Sequence, residues 1–342
     1  YVYVNERISF WEVIYKKSNL LDFRSINSYA IDSEEPNIYL FGSISRMEPP
    51  IIQRYNYQNQ DIEAISNLPP PNYTGKPIKL FNSPNGKEIV VDQGTELSFY
   101  DAITLEYKYN IEPGGISYID DIEYLGDDLW AITDSDNVFT FKRDNANLFL
   151  IDKAPHFIEH QATFNYNIYV LEGNRLMVGH ENEPNSIVYT LDGNGKFLSQ
   201  KNVSIHASWS YDGSKIVYNP AENYLLDFSQ NRLYSAETFQ YMESFETPYF
   251  PSGVSKDGLN IYGTNNDPDW EITPESLHKK EAIIFNRNTS SFQKIETLGY
   301  PHILFESYNG EVFSISSGLK KERLSQNIND KADIFIEKVN TH

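Results

Sequence analysis

The stretch "KLFNSPNGKEIVVDQGTELSFYDAITLEYKYNI", residues 79–111, decides how the rest of the chain reads. Apolar runs of strand length, rich in Val, Ile, Tyr and Phe, alternate with clusters of Asn, Asp, Gly and Ser. Asn85-Gly86 supplies residues that accept positive φ, which a tight hairpin turn requires. The unit therefore reads as four antiparallel strands joined by short turns.

The strand–turn–strand half of this unit recurs along the chain. Its further copies are "IEYLGDDLWAIT" (122–133), "IYVLEGNRLMVG" (168–179), "ASWSYDGSKIVY" (207–218), "SGVSKDGLNIYG" (252–263) and "LFESYNGEVFSI" (304–315), with a looser one at "SYAIDSEEPNIYLFG" (28–42). Asp212-Gly213, Asp257-Gly258 and Asn309-Gly310 repeat the two-residue turn chemistry. The first apolar residues after the turns are Ile38, Ile89, Leu129, Leu176, Ile216, Ile261 and Val312, spaced by 51, 40, 47, 40, 45 and 51 residues. Such a period suits a repeat of four strands with variable loops.

The second half recurs too, in "VFTFKRDNANLFLI" (138–151), "IVYTLDGNGKFLSQ" (187–200), "YLLDFSQNRLYSAE" (224–237) and "AIIFNRNTSSFQKIE" (282–296). Copies such as 81–111 and 208–218 resemble the YVTN and WD-type repeats of seven-bladed β-propellers, the YVTN type being that of bacterial surface and periplasmic proteins. The resemblance covers nearly the whole chain and implies an all-β, seven-bladed β-propeller of four-stranded antiparallel blades, forming one domain over residues 1–342. No copy carries a consistent Trp-Asp at the end of its third strand, so the WD hydrogen-bond network is not implied. The last repeat stops at "ADIFIEKV" (332–339), one strand short, whereas "ISFWEVI" (8–14) has no partners of its own. The N-terminal segment, about residues 1–26, is therefore expected to complete the last blade and close the ring.

Composition narrows the function. Forty-eight acidic residues face 28 basic ones, a net charge of -20, and so negative a surface repels nucleic-acid phosphates and anionic lipid. The absence of cysteine excludes disulfides, thiolate metal sites and thiol catalysis. No apolar run reaches the roughly 20 residues that span a bilayer, so no transmembrane segment is expected. The chain opens on Tyr1 rather than Met, which suggests a trimmed or mature form from which any targeting segment has been removed. No P-loop, dinucleotide fingerprint or nucleophile elbow occurs, and no recognised motif requires a cofactor. The acidic turns Gly126-Asp127-Asp128 and 134–136 do not follow the EF-hand pattern.

One catalytic pattern is present: His156, Glu159 and His160 stand as H-x-x-E-H, the zinc motif of inverzincin peptidases. That motif works on a long helix, but "ATFNYNIYV" (162–170) alternates with period two and continues as a strand. In a four-stranded blade, connections from the fourth strand to the next first strand emerge on the same face as those from the second to the third. That loop face gathers His156, His160, His180, His206, His278 and His302, with Trp270 in the insertion "NNDPDWEITPESLHKK" (265–280).

The resulting expectation is a non-enzymatic, extracytoplasmic binding module, located in the periplasm, at the cell surface or secreted, that takes a protein or small-molecule ligand on the loop face. His156, His160, His206, His302 and Trp270 are its candidate contacts; no catalytic residue and no metal ligand is assigned. The rival is a lactonase-like or metal-assisted hydrolase at the channel mouth. It requires at least three of His156, His160, His180, His206 and His302 to converge with a carboxylate such as Asp120, Asp121 or Glu159.

Overall fold

A computed structural model of the chain describes residues 25–43, 49–67, 78–84, 86–156, 166–180, 185–205, 216–228, 230–244, 250–264, 279–317 and 334–340. Among them every regular element is a β-strand, and no helix is long and apolar enough to cross a membrane.

The strands form seven antiparallel meanders. Blade 1 holds β1 (Ser25–Ile31), β2 (Asn37–Ser43), β3 (Ile51–Asn56) and β4 (Asp61–Ile65), and blade 2 holds β5 (Lys79–Ser83), β6 (Gly86–Asp92), β7 (Leu97–Asp101) and β8 (Tyr107–Ile111). Blade 3 holds β9 (Asp121–Gly126), β10 (Leu129–Thr133), β11 (Asn137–Asp144) and β12 (Asn147–Pro155), and blade 4 holds β13 (Tyr166–Leu171), β14 (Arg175–His180), β15 (Ser186–Leu191) and β16 (Phe197–Val203). Blade 5 comprises β17 (Ile216–Asn219), β18 (Tyr224–Asp227), β19 (Arg232–Ser235) and β20 (Tyr241–Ser244), and blade 6 comprises β21 (Phe250–Val254), β22 (Asn260–Thr264), β23 (Glu281–Asn286) and β24 (Ser291–Glu296). Blade 7 has β25 (Tyr300–Glu306), β26 (Val312–Ser317) and β27 (Ile334–Lys338). The fold is a seven-bladed β-propeller. The strand expected from residues 8–14 lies outside the described residues.

The chain divides into two compact units. Tyr1–Ser66 with Thr247–His342 carries blades 1, 6 and 7, and Asn67–Glu246 carries blades 2 to 5. Within each unit the core lies between successive blades. Phe81, Phe99, Trp130, Phe139 and Phe141 pack blade 2 on blade 3; Tyr169, Met177, Leu225 and Tyr234 pack blade 4 on blade 5; Leu40, Tyr55, Phe305 and Phe313 pack blade 1 on blade 7. Middle strands are covered on both faces, which is why β6 and β7 read as near-continuous apolar runs. Fourth strands such as β16 and β24 are mostly exposed, and their sequences are correspondingly polar.

Two local readings need correction. The fifth copy is offset by one strand: Ile216 opens the first described strand of blade 5, and "YLLDFSQNRLYSAE" supplies the second and third. The turns at Asp257-Gly258 and Asn309-Gly310 are also wider than two-residue hairpins. Ser255 N donates to Asn260 O at 2.9 Å and Ser307 N to Glu311 O at 2.8 Å, and only Gly258 and Gly310 take positive φ. Asp257 and Asn309 instead accept the Ser255 and Ser307 hydroxyl protons. A two-residue turn with both residues at positive φ does occur at Asp127-Asp128, with φ of 49° and 59°, as a type I′ geometry requires.

Candidate functional site

Within the unit of blades 2 to 5, the loop face has two different regions. Over blades 2 to 4 several of its described polar groups are spent on the backbone or on one another. Asp134 Oδ1 accepts from Asp136 N at 2.9 Å and Asn137 N at 2.8 Å, which closes the β10–β11 turn. Asp121 Oδ2 accepts from Ile168 N at 2.8 Å, tying β9 to β13. Lys79 in β5 reaches Glu123 at 2.6 Å and Asp121 at 3.3 Å, tying β5 to β9. Burial works against the Lys79 charge, but the two carboxylates outweigh it and raise its pKa, so the ammonium is permanent. A permanently protonated Lys between two carboxylates is a clasp rather than a proton donor.

His156 belongs to the same framework. It lies just past β12, only 3% exposed, with Nε2 donating to Asp134 O at 2.8 Å and its ring 3.8 Å from that of Tyr166. Burial holds its pKa below the ordinary histidine value despite the surrounding backbone hydrogen bonds. The ring is thus a neutral wedge between blades 3 and 4. His302 is the extra residue of a bulge between Pro301 and Ile303 in β25, where it is half-buried. His180 ends β14. His160, His206, His278 and Trp270 lie outside the described residues. Among the described residues no three His, Asp or Glu side chains converge as a metal site would require. The acidic turn at Asp127-Asp128 is committed as well: Asp128 pairs with Arg143 at 3.4 Å and the Asp127 carbonyl accepts from Lys142.

Over blades 4 and 5 the face opens into a groove of about 440 Å3 lined by Ser204, Arg232, Tyr234, Tyr241 and Ser244. Arg232 begins β19 after the second-to-third connection, Ser244 ends β20, and Ser204 follows β16, so all three stand at the loop end of their strands. In the ladder Arg232 opposes Ser244 and Tyr234 opposes Tyr241, with Met242 as the extra residue of a bulge. Directly opposed residues share a sheet face, which brings the four side chains together. The Tyr234 and Tyr241 rings meet edge to face at 6.3 Å, and Tyr241 is 56% exposed. None of these residues stood out in the sequence, because their assembly depends on the strand register and the bulge.

No protein-family model and no curated protein matches the chain. Solved structures do. It is similar to the hydrazine synthase of Kuenenia stuttgartiensis (9% identity over 94% of this chain and 97% of that one, TM-score 0.56) and to the WD40 β-propeller domain of Doa1 (9%, 93% and 93%, 0.53). It is also similar to the dihydro-heme d1 dehydrogenase NirN in complex with DHE (11% identity, TM-score 0.53), where 86% of this chain spans 59% of that one. At such identities the likeness is one of fold alone.

Proposed function

We propose that this propeller is a non-enzymatic binding module, acting outside the cytoplasm, that receives a protein or small-molecule partner on its loop face. The groove over blades 4 and 5 carries the reading. It offers a guanidinium, an exposed tyrosine ring and serine hydroxyls, side chains that supply contact area and hydrogen bonds in recognition sites. Lys79, Asp121, Glu123, Asp134 and His156 over blades 2 to 4 are instead bound to backbone or to one another, which suits a rigid platform better than acid–base chemistry. A platform whose loops are anchored this way loses little entropy on binding. The extracytoplasmic assignment rests on the resemblance to YVTN-type surface proteins, and fractionation of the source cells tests it directly.

The hydrolase alternative makes a sharp counter-prediction. Purified protein is analysed for metal before and after dialysis against a chelator, and assayed on simple lactones and esters, with His302→Ala alongside. The binding-module reading expects no stoichiometric metal and no turnover. Bound metal and lactone hydrolysis that both vanish in His302→Ala would replace it with the hydrolase.

A further inference from the structure

Five arginines lie among the described residues, and four are committed. Arg54 pairs with Glu63 at 2.9 Å, Arg143 with Glu88 at 2.7 Å, Arg175 donates to the carbonyls of Glu172 and Ala236, and Arg287 donates to the carbonyl of Gly258. Arg232 is exposed and makes no ion pair or side-chain hydrogen bond with a described residue. In a chain with 48 carboxylate side chains to 28 cations, a guanidinium left open at the mouth of a groove stands against the electrostatic trend. The carboxylate opposite it in the ladder, Asp227, is fully buried and accepts from Gln230 N at 3.3 Å, so it closes its own turn instead of neutralising Arg232.

We infer that this groove is a binding site for a small polyhydroxylated carboxylate, a sugar acid of the uronate type. The assignment deepens the binding-module reading and rests on it. A planar guanidinium fork matches a carboxylate bidentately. The hydroxyls fit the rest of such a ligand. Tyr241 Oη donates to Ser244 Oγ at 3.0 Å, which leaves the Ser244 proton free to point into the groove, and Ser204 Oγ donates to Asn185 Oδ1 at 3.3 Å, which leaves its lone pairs to accept. The half-exposed Tyr241 ring supplies an apolar wall for a sugar ring, and about 440 Å3 is within the range of small-molecule sites. One guanidinium in the field of a chain of charge -20 balances a monoanion. A phosphate dianion would call for further cations, and among the described lining residues Arg232 is the one cation.

The test is a calorimetric titration of the full chain with D-glucuronate and D-galacturonate, with glucose as the neutral probe and glucose 6-phosphate as the dianionic one. Saturable uronate binding is expected, weakened roughly ten- to a hundred-fold by Arg232→Gln, as loss of a charged hydrogen-bonded pair implies. Arg232→Lys, which keeps the charge and loses the fork, falls between the two, and Tyr241→Ala weakens binding without altering the far-ultraviolet circular dichroism spectrum. Absence of saturation by either uronate, or equal binding by Arg232→Gln, overturns the site. Glucose binding as tightly as glucuronate overturns the carboxylate assignment, and tighter binding of glucose 6-phosphate does the same in favour of phosphate. Failure here leaves the metal and lactone assays untouched, so it is distinguishable from failure of the binding-module reading.

Discussion

At the scale of single residues, the most consequential side chain is Arg143. Its side chain and that of Glu88 are both fully buried and lie 2.7 Å apart, and the guanidinium sits 5.3 to 5.6 Å from the ring centres of Phe81, Phe99 and Trp130. Lys108 approaches Glu88 from the solvent side at 2.8 Å. Glu88→Ala leaves the buried guanidinium among aromatic rings with only the longer Asp128 contact at 3.4 Å, so it should cost about 3 kcal/mol. Glu88→Met combined with Arg143→Leu, which removes both charges, should cost much less. Urea titration of the three proteins measures both. Burial by itself would raise the Glu88 pKa, but the hydrogen bonds and charges of Lys108 and Arg143 outweigh it and hold the carboxyl below its ordinary 4.5. A carboxyl depressed in the folded state contributes full stability above its unfolded value and loses it as pH falls through the folded one. The wild type should therefore weaken as pH drops below about 4.5, more steeply than the double variant.

At the scale of elements, blade 6 meets blade 7 at a backbone contact. A Cβ on Gly253 in β21 would lie 2.5 Å from the Leu304 carbonyl oxygen in β25, and Ser252 Oγ accepts from Leu304 N at 2.9 Å beside it. Backbone cannot yield as a side-chain tip does, so Gly253→Ala should destabilise by about 1–3 kcal/mol, read as a lowered melting temperature. Gly114→Ala, where nothing lies within 4 Å, is the control that should melt almost unchanged. Elements were also where the sequence was most legible. Alternating apolar runs and Gly/Asn/Asp turns locate six blades in the correct register, because each strand carries its own local signature. Blade 5 was misread because "SYDGSK" carries the same Asp-Gly signature as the turns of other copies, whereas the four described strands begin only at Ile216. The candidate site was far less legible. Arg232 and Tyr241 are nine residues apart and meet only through a bulged ladder, and His156, conspicuous in sequence, packs inward beside Tyr166. Nothing in "FKRDN" marks the charged Arg143 as buried, because its partners Glu88 and the rings of Phe81, Phe99 and Trp130 come from other strands.

At the scale of the whole molecule, the net charge of -20 acts on stability as well as on ligand choice. Excess like charge destabilises a compact state through self-repulsion, and that repulsion is long-ranged, so salt screens it before it touches contacts made at short distance. The screening length falls from about 30 Å at 0.01 M salt to about 8 Å at 0.15 M. Partly exposed ion pairs such as Arg54–Glu63 are individually weak, whereas Arg143–Glu88 is shielded from salt by burial. Repulsion should therefore dominate the salt response, and the melting temperature should rise by a few degrees between 0.01 and 0.15 M sodium chloride, on the order of 1 kcal/mol. Scanning calorimetry across that range decides the matter. A fall would mean that attractive pairs outweigh the excess of carboxylates, which would also remove the reason for treating the uncommitted Arg232 as an exception within an otherwise repulsive surface.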